Sequence, residues 1–489
     1  MIESVSPSYL QRWEHAAFVA GAGSLQMMET AAQAVVEQLQ EQLGGLADER
    51  ILFVCGPGNN GGDGLAAARL SFSMGAKPEV LLLSTAETRD AQTNLKRLQE
   101  LDIPVHSADD CPNMSGYQFI VDALFGIGLS RDIRGKALDI ITRMNDSRVK
   151  ILAVDVPSGL DALTGQVLGE CVRADLTVTF HRPKHGLFLA AEGLVGRIHI
   201  ADIGLPLVSR PDRAHSWDVS LIAEPTDLPH LLPSRPQKAH KGDFGRVLVL
   251  AGSLGMAGAA AMAAKACLRS GAGLVTLAVS HGLMPILQTL VPGATCKTVQ
   301  EAKSIKHDVL AVGSGLGQSD ARWEDIMALK DDHIPSVWDA DALNMLAKRP
   351  MPLGPLAIIT PHMGEAARLL DEDISSVLAD PFSAADRLHE KYACAVHLKS
   401  AVSILYDGQE MTVNLAGTPA LAKGGSGDAL CGILAGILAQ QKVRSPMKAM
   451  QAAALWLGLA GQKAQQAQGP YSVLTSDVID AMGPALLDI

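Results

Sequence analysis

No Cys-x-x-Cys pair occurs among the seven cysteines, which are scattered at Cys55, Cys111, Cys171, Cys267, Cys296, Cys394 and Cys431. That spacing argues against a zinc site or a redox dithiol. Positive charge is also short: 41 Lys and Arg face 52 Asp and Glu, a formal net charge of −11. Such a balance excludes nonspecific nucleic-acid and anionic-membrane binding, so an anionic ligand must be held by local backbone donors. Long apolar runs are missing too. Leu430 to Ala439 is too short to span a bilayer, and Met1 to Arg12 lacks the apolar region of a secretory signal. A cytoplasmic protein is expected. Aromatic residues make up 4% of the chain, within an Ala/Gly-rich composition typical of globular α/β proteins.

At 489 residues the chain exceeds what one hydrophobic core organises. After a helical region, Tyr9 to Leu43, come near-continuous apolar runs at Ile51–Cys55, Glu79–Leu83, Phe119–Ala123, Ile151–Val156 and Leu176–Phe180. Gly196 to Leu205 reads as a last strand and turn. Apolar runs alternating with helical segments predict a parallel sheet covered on both faces. The texture then changes. Pro206 to Lys241 holds six prolines and few periodic apolar positions, so a linker is expected, with the boundary near 215–225. A second α/β unit opens at Arg246–Ala251 and continues through Leu274–Val279, Asp308–Val312, Ser336–Asp339, Leu356–Thr360, Ala395–Leu398 and Ser403–Tyr406. No fixed-period repeat relates the two. The expected domains are 1–215 and 225–489.

The run Val54 to Gly64, Val-Cys-Gly-Pro-Gly-Asn-Asn-Gly-Gly-Asp-Gly, lies between an apolar strand and an Ala-rich helix at Leu65 to Met74. It is neither G-x-G-x-x-G nor a P-loop, because no Gly-Lys-Ser/Thr follows. Its glycines let backbone N–H groups approach an anion at a helix N-terminus, so a phosphorylated ligand is expected. Asn59, Asn60 and Asp63 add two amides and a carboxylate. Ligands of open parallel sheets sit beyond the carboxyl ends of strands. Two further ends carry Asp122 and Asp155, where a buried carboxylate is costly unless it meets a cation or a donor. Gly126-Ile127-Gly128-Leu129-Ser130-Arg131-Asp132 supplies a flexible loop with an arginine to close over phosphate. These oxygen groups with Ser158 could also cage a monovalent or a hard divalent cation.

In the second unit, Ala422-Lys-Gly-Gly-Ser-Gly-Asp-Ala-Leu-Cys-Gly432 precedes a small-residue helix. Gly424, Gly425 and Gly427 free backbone N–H groups for developing negative charge, and Asp428 sits within reach of a substrate hydroxyl. A carboxylate beside an anion hole fits a base for phosphoryl transfer.

Three runs in the first unit, Pro-Gly-Asn-Asn-Gly-Gly-Asp-Gly, Val-Asp-Ala-Leu-Phe-Gly and Val-Asp-Val-Pro-Ser-Gly-Leu-Asp-Ala, together resemble the NAD(P)H-hydrate epimerase family. The resemblance covers about residues 9–215. It implies a Rossmann-like fold and interconversion of the R and S epimers of hydrated NADH or NADPH. Asn59, Asn60, Gly61, Gly62, Asp63 and Gly126 to Asp132 would contact substrate. Asn60, Asp122 and Ser158 would hold potassium, with Asp155 as acid/base at the nicotinamide end.

Gly-Gly-Ser-Gly-Asp resembles the signature of the ribokinase superfamily. Asp339-Ala-Asp-Ala-Leu-Asn344 and Thr360-Pro-His-Met-Gly-Glu365 narrow this to the ADP-dependent NAD(P)H-hydrate dehydratases. That likeness implies a ribokinase-like α/β domain, with Ala257, Gly315, His362 and Asp428 meeting substrate. Lys399, Ser400, Ala401, Val402, Ser403 and Gly427 would meet the nucleotide. The family usually reads Lys-Gly-x-x-Thr where this chain has Lys399-Ser-Ala-Val-Ser403. The implied function is repair of hydrated NADH and NADPH: epimerisation, then dehydration of the S epimer using ADP, giving AMP and phosphate. Potassium and magnesium are the implied ions, and a homo-oligomer without nucleic-acid or membrane partners is expected. The alternative is a vitamin or sugar kinase of ribokinase type fused to a non-catalytic Rossmann-like binding module.

Overall fold

A computed structural model describes residues 1–440 and 445–489. The chain divides into two compact units: Glu3–Val219, and Ser220–Ile489 together with Met1–Ile2.

The first unit holds a seven-stranded sheet, parallel throughout. Its order is Val105–Ser107, Lys77–Leu82, Arg50–Cys55, Phe119–Ala123, Lys150–Val154, Leu176–Phe180, Arg197–Ala201. Phe119–Ala123 is buried along its whole length, as a strand covered on both faces must be. The opening helical region resolves into two helices, Pro7–Val19 and Ser24–Leu43, parted at Gly21, whose φ of 98° no helix accepts. Ser6 caps the first by accepting from the Tyr9 N–H.

The glycine run differs from expectation. The helix starts at Asn59, inside the run, and extends to Ser73. Glycine is a poor helix former, which hides the start, but close approach requires it. A Cβ on Gly61 would stand 1.9 Å from the Gly56 carbonyl oxygen, and one on Gly64 would stand 2.5 Å from the Ala123 Cβ. These glycines therefore seat the helix against the strand ends as well as freeing the backbone.

In the second unit the sheet runs in the order Val219–Ala223, Met411–Asn414, Ser403–Tyr406, Ala395–Leu398, Ala357–Ile359, Ser336–Trp338, Val309–Val312, Arg246–Leu250, Leu274–Ala278, Thr295–Lys297. Ser403–Tyr406 is antiparallel to both neighbours, and the other pairings are parallel. Helix Ser426–Gln440 packs against helix Ala257–Arg269 so closely that a Cβ on Gly432 would stand 2.1 Å from the Ala263 carbonyl oxygen. Alanine would add about 1 kcal/mol of helix propensity there. A 2.1 Å contact with backbone outweighs that gain, so glycine stays.

The segment 206–241 is not purely a linker. Val219–Ala223 is a strand paired with Met411–Asn414, and Leu228 is fully buried. Flanking prolines and charges mask this five-residue strand.

Candidate active sites

Strand ends of the first unit open onto a cavity of about 710 Å³. Asn59, Asn60, Asp63, Gly126, Ile127, Gly128, Leu129, Ser130, Arg131 and Asp155 line it. Three expected contacts do not. Gly61 and Gly62 are spent on packing, against Gly56 and the Met28 side chain, and Asp132 is exposed, 3.5 Å from Arg134. The two opening helices add Glu14, Phe18, Met27 and Met28 to the wall, and Glu87 and Asp90 come from the loop and helix after the second sheet strand. No motif marks these residues in sequence.

Asp155 follows strand Lys150–Val154 with φ at 68°, in the left-handed region that a non-glycine residue enters at a cost. Its N–H donates to the Val178 carbonyl at 2.8 Å, which holds the turn. Lys184, with no exposed surface, donates to Asp155 Oδ1 and to Thr179 Oγ1 at 3.1 Å. Thr179 Oγ1 and the Phe180 N–H reach the same carboxylate oxygen at 3.3 Å each. Burial pushes the Glu14 carboxyl up to about 7 and holds Asp63 well above the usual carboxylate range; the Asp155 charge raises both further, and Lys184 partly opposes the shift.

Beneath the cavity, Ser158 Oγ donates to Asp122 Oδ1 at 2.6 Å and its N–H to Oδ2 at 2.8 Å. Ser158 Oγ accepts from the Phe125 N–H at 2.9 Å. The Asn60 amide oxygen lies 3.2 Å from where a Gly126 Cβ would stand, and Asn60 Nδ2 is buried without a partner. Burial lifts Asp122 to about 6 despite its hydrogen bonds. The donors are oxygens carrying one carboxylate charge, and among the described residues no three His, Cys, Asp or Glu side chains gather as a metal cage. Such a set fits a weakly held monovalent cation better than magnesium.

In the second unit, Asp428 occupies the first turn of helix Ser426–Gln440. Burial raises its carboxyl to about 6, with the Lys399 charge opposing the rise and Asp339 and Asp341 adding to it. A Cβ on Gly427 would stand 3.3 Å from Lys399 Nζ and 3.4 Å from Asp339 Oδ2, so the glycine turn lies directly over that pair. Lys399 Nζ donates to Asp339 Oδ1 at 2.6 Å, lies 3.9 Å from Glu365, and Thr360 Oγ1 donates to the same Asp339 oxygen at 2.8 Å. Here the lysine serves a buried carboxylate network, whereas Ser400, Ala401 and Val402 form the turn between antiparallel strands and Ser403 opens the second of them. His362 caps helix Met363–Leu370: its Nδ1 accepts from the Gly364 N–H at 3.0 Å, while Glu365 accepts from the His362 N–H at 2.9 Å. Gly315, with φ at 60°, meets the start of the Ala257 helix; a Cβ on it would stand 2.9 Å from the Ala259 Cβ. Asp339, Thr360 and Glu365 fall inside motifs visible in sequence, but their convergence on Lys399 is not.

Residues 24–186 match the family described as YjeF-related protein N-terminus, and residues 247–483 match NAD(P)H-hydrate dehydratase. A bifunctional NAD(P)H-hydrate repair enzyme of Moorella thermoacetica is 36% identical, with 94% of this chain and 91% of that protein covered. Proteins of the same name are 37% identical in Coxiella burnetii (88% of each chain covered) and 33% identical in Escherichia coli (88% of this chain, 84% of that one). An ADP/ATP-dependent NAD(P)H-hydrate dehydratase of Bacillus subtilis, co-crystallised with ATP and magnesium, superposes with a TM-score of 0.51 at 26% identity. That match covers 55% of this chain and 98% of that one. A ribokinase-like superfamily protein of Enterococcus faecalis gives a TM-score of 0.50 at 25% identity, over 55% of this chain and 96% of that one. The relatives span both units, and the chain belongs to the family of bifunctional NAD(P)H-hydrate repair enzymes.

Proposed function

We propose that this protein repairs hydrated NADH and NADPH, with residues 1–215 epimerising the C6 hydrate and residues 225–489 dehydrating the S epimer with ADP. The observation that carries the reading is the presence of two separate sites, each with its own carboxylate, in a chain aligned across its length with bifunctional relatives. In the first site, the C6 hydroxyl leaves as water once protonated, the ring nitrogen supplying the electron pair. Water returning to the other face then gives up a proton, and Asp155 is the group placed to carry it. Asn60, Asp122 and Ser158 would hold potassium, which supplies positive charge and order beneath the substrate loop.

In the second site, Asp428 takes the proton of the C6 hydroxyl as that oxygen bonds the β-phosphorus of ADP; the P–O bond to AMP breaks. The phosphorylated oxygen then leaves C6 as phosphate with its bonding pair, and loss of a C5 proton restores the dihydronicotinamide. Hydroxide leaves poorly and phosphate well, so the coupling lowers the barrier. With a carboxyl near 6, Asp428 is mostly ionised at neutral pH and ready to act as base. The N–H groups at the start of its helix stabilise the transferring phosphoryl group. Gly427 and the turn Lys399–Ser403 lie on the nucleotide side, and Ala257, Gly315 and His362 on the substrate side. Magnesium travels with the nucleotide phosphates without a dedicated protein cage.

A cytoplasmic homo-oligomer belongs to the same proposal; among the described residues no helix is long and apolar enough to cross a membrane. Incubating the protein with hydrated NADH and ADP, then separately ATP, tests the reading. Restored nicotinamide absorbance with AMP as product is expected. Activity with ATP alone, yielding ADP, overturns the nucleotide choice, and no restoration with either overturns the function.

A further inference from the structure

Asp155 has its hydrogen bonds on one side only. Lys184 Nζ, Thr179 Oγ1 and the Phe180 N–H all converge on Oδ1, and no described donor reaches Oδ2. Lys184 has no exposed surface, so substrate in the cavity does not meet it directly; its remaining contacts are Thr179 Oγ1 at 3.1 Å and the Phe180 carbonyl at 3.3 Å. A wholly buried ammonium is costly without a charged partner, and a buried carboxylate equally so. Each is the other's compensation. The cavity otherwise gathers carboxyl groups rather than cations: Glu14 from the first helix, Asp63 from the glycine-run helix, and Glu87 and Asp90 along the wall. Arg131 is the one cationic side chain among the described residues of the lining, from which Lys184 is absent.

We infer that Lys184 is a positioning residue for epimerisation, fixing Asp155 through Oδ1 as an anion whose Oδ2 is left to exchange a proton with the C6 oxygen. The inference rests on the proposed epimerase reading. It acts through Asp155 alone, because the ammonium is sealed away from the cavity. The positive φ of Asp155 agrees with a side chain aimed by its surroundings at some conformational cost.

The test compares wild type, Lys184→Met, Asp155→Asn and the double variant in an assay of R-to-S equilibration, with circular dichroism reporting the fold. Lys184→Met is expected to lower kcat at least hundredfold near neutral pH with KM changed less than threefold. It should also move the acid limb of the pH profile upward, since an uncompensated buried carboxylate ionises less readily. In the Asp155→Asn background the same replacement should change kcat less than threefold. The double variant carries a neutral pair and keeps the test decisive if the single lysine variant does not fold. An added tenfold loss on the asparagine background, or a rise in KM with unchanged kcat and pH limb, overturns the lysine's role. A wild-type protein that does not equilibrate the epimers instead overturns the epimerase reading itself.

Discussion

Each unit buries an aspartate–lysine pair at its site, and the two pairs are used differently. In the first, Lys184 grips Asp155, the group proposed to carry the proton. In the second, Lys399 grips Asp339, a neighbour, and Asp428 has no direct lysine partner and a carboxyl near 6. Direct pairing fixes a carboxylate's aim, as the convergence of donors on Asp155 Oδ1 does. Indirect pairing leaves the carboxylate able to gain and lose a proton close to neutral pH, as a base for an alcohol requires. On the proposed roles, one scaffold class, a largely parallel sheet, supports two kinds of proton handling.

The largest expected effect separates the two sites. Asp428→Asn should lower ADP-dependent dehydration by roughly 10²–10⁴-fold, the range for loss of a general base. Equilibration of R and S epimers should persist, which chromatography of the hydrates checks. Loss of both activities in a folded protein would break the comparison.

A smaller effect concerns packing. Gly61→Ala places a methyl 1.9 Å from the Gly56 carbonyl oxygen, so the glycine-run helix must shift. A loss of about 1–3 kcal/mol in stability is expected, read as a lowered melting temperature, with epimerisation falling more than dehydration. An unchanged melting temperature would show that the close approach is not required.

The pH dependence sharpens the contrast. Asp428 must be ionised to accept a proton, and its carboxyl is raised to about 6. Dehydration should therefore fall about tenfold per pH unit below that value and level off above it. A flat profile between pH 5 and 7 (about one unit either side of that value) would remove Asp428 from the role of base.

The smallest effect is that of the cation. Potassium should raise epimerisation several-fold and leave dehydration unaltered, and Asn60→Ala should abolish the dependence. Equal support by magnesium would contradict the reading of an oxygen set with a single carboxylate charge.

Much of this was legible in the chain because parallel strands announce themselves as apolar runs. Asp122 and Asp155 stood out as carboxylates at the ends of such runs, and Asp428 as the acid after a glycine cluster. Lys184 did not stand out. It is 29 residues from Asp155 in sequence, and only the return of strand Leu176–Phe180 alongside Lys150–Val154 brings them together. Glu14 was hidden for a similar reason, as one polar residue on an amphipathic helix until the fold turns it to the cavity. The early start of the Asn59 helix was masked by propensity, since five glycines read as a loop until packing explains Gly61 and Gly64. Val219–Ala223 was lost among prolines, although its pairing partner lies nearly two hundred residues later, at Met411–Asn414.

The most direct test of two linked activities is the extent of repair from a mixture of R and S hydrates supplied with ADP. Wild type should restore all of the nicotinamide absorbance, because the R epimer is converted and then consumed. Asp155→Ala should restore the S share at the wild-type rate and then proceed only as fast as the epimers interconvert unaided. Complete restoration by Asp155→Ala at the wild-type rate would contradict an epimerase centred on Asp155, and with it the account of two sites working in sequence.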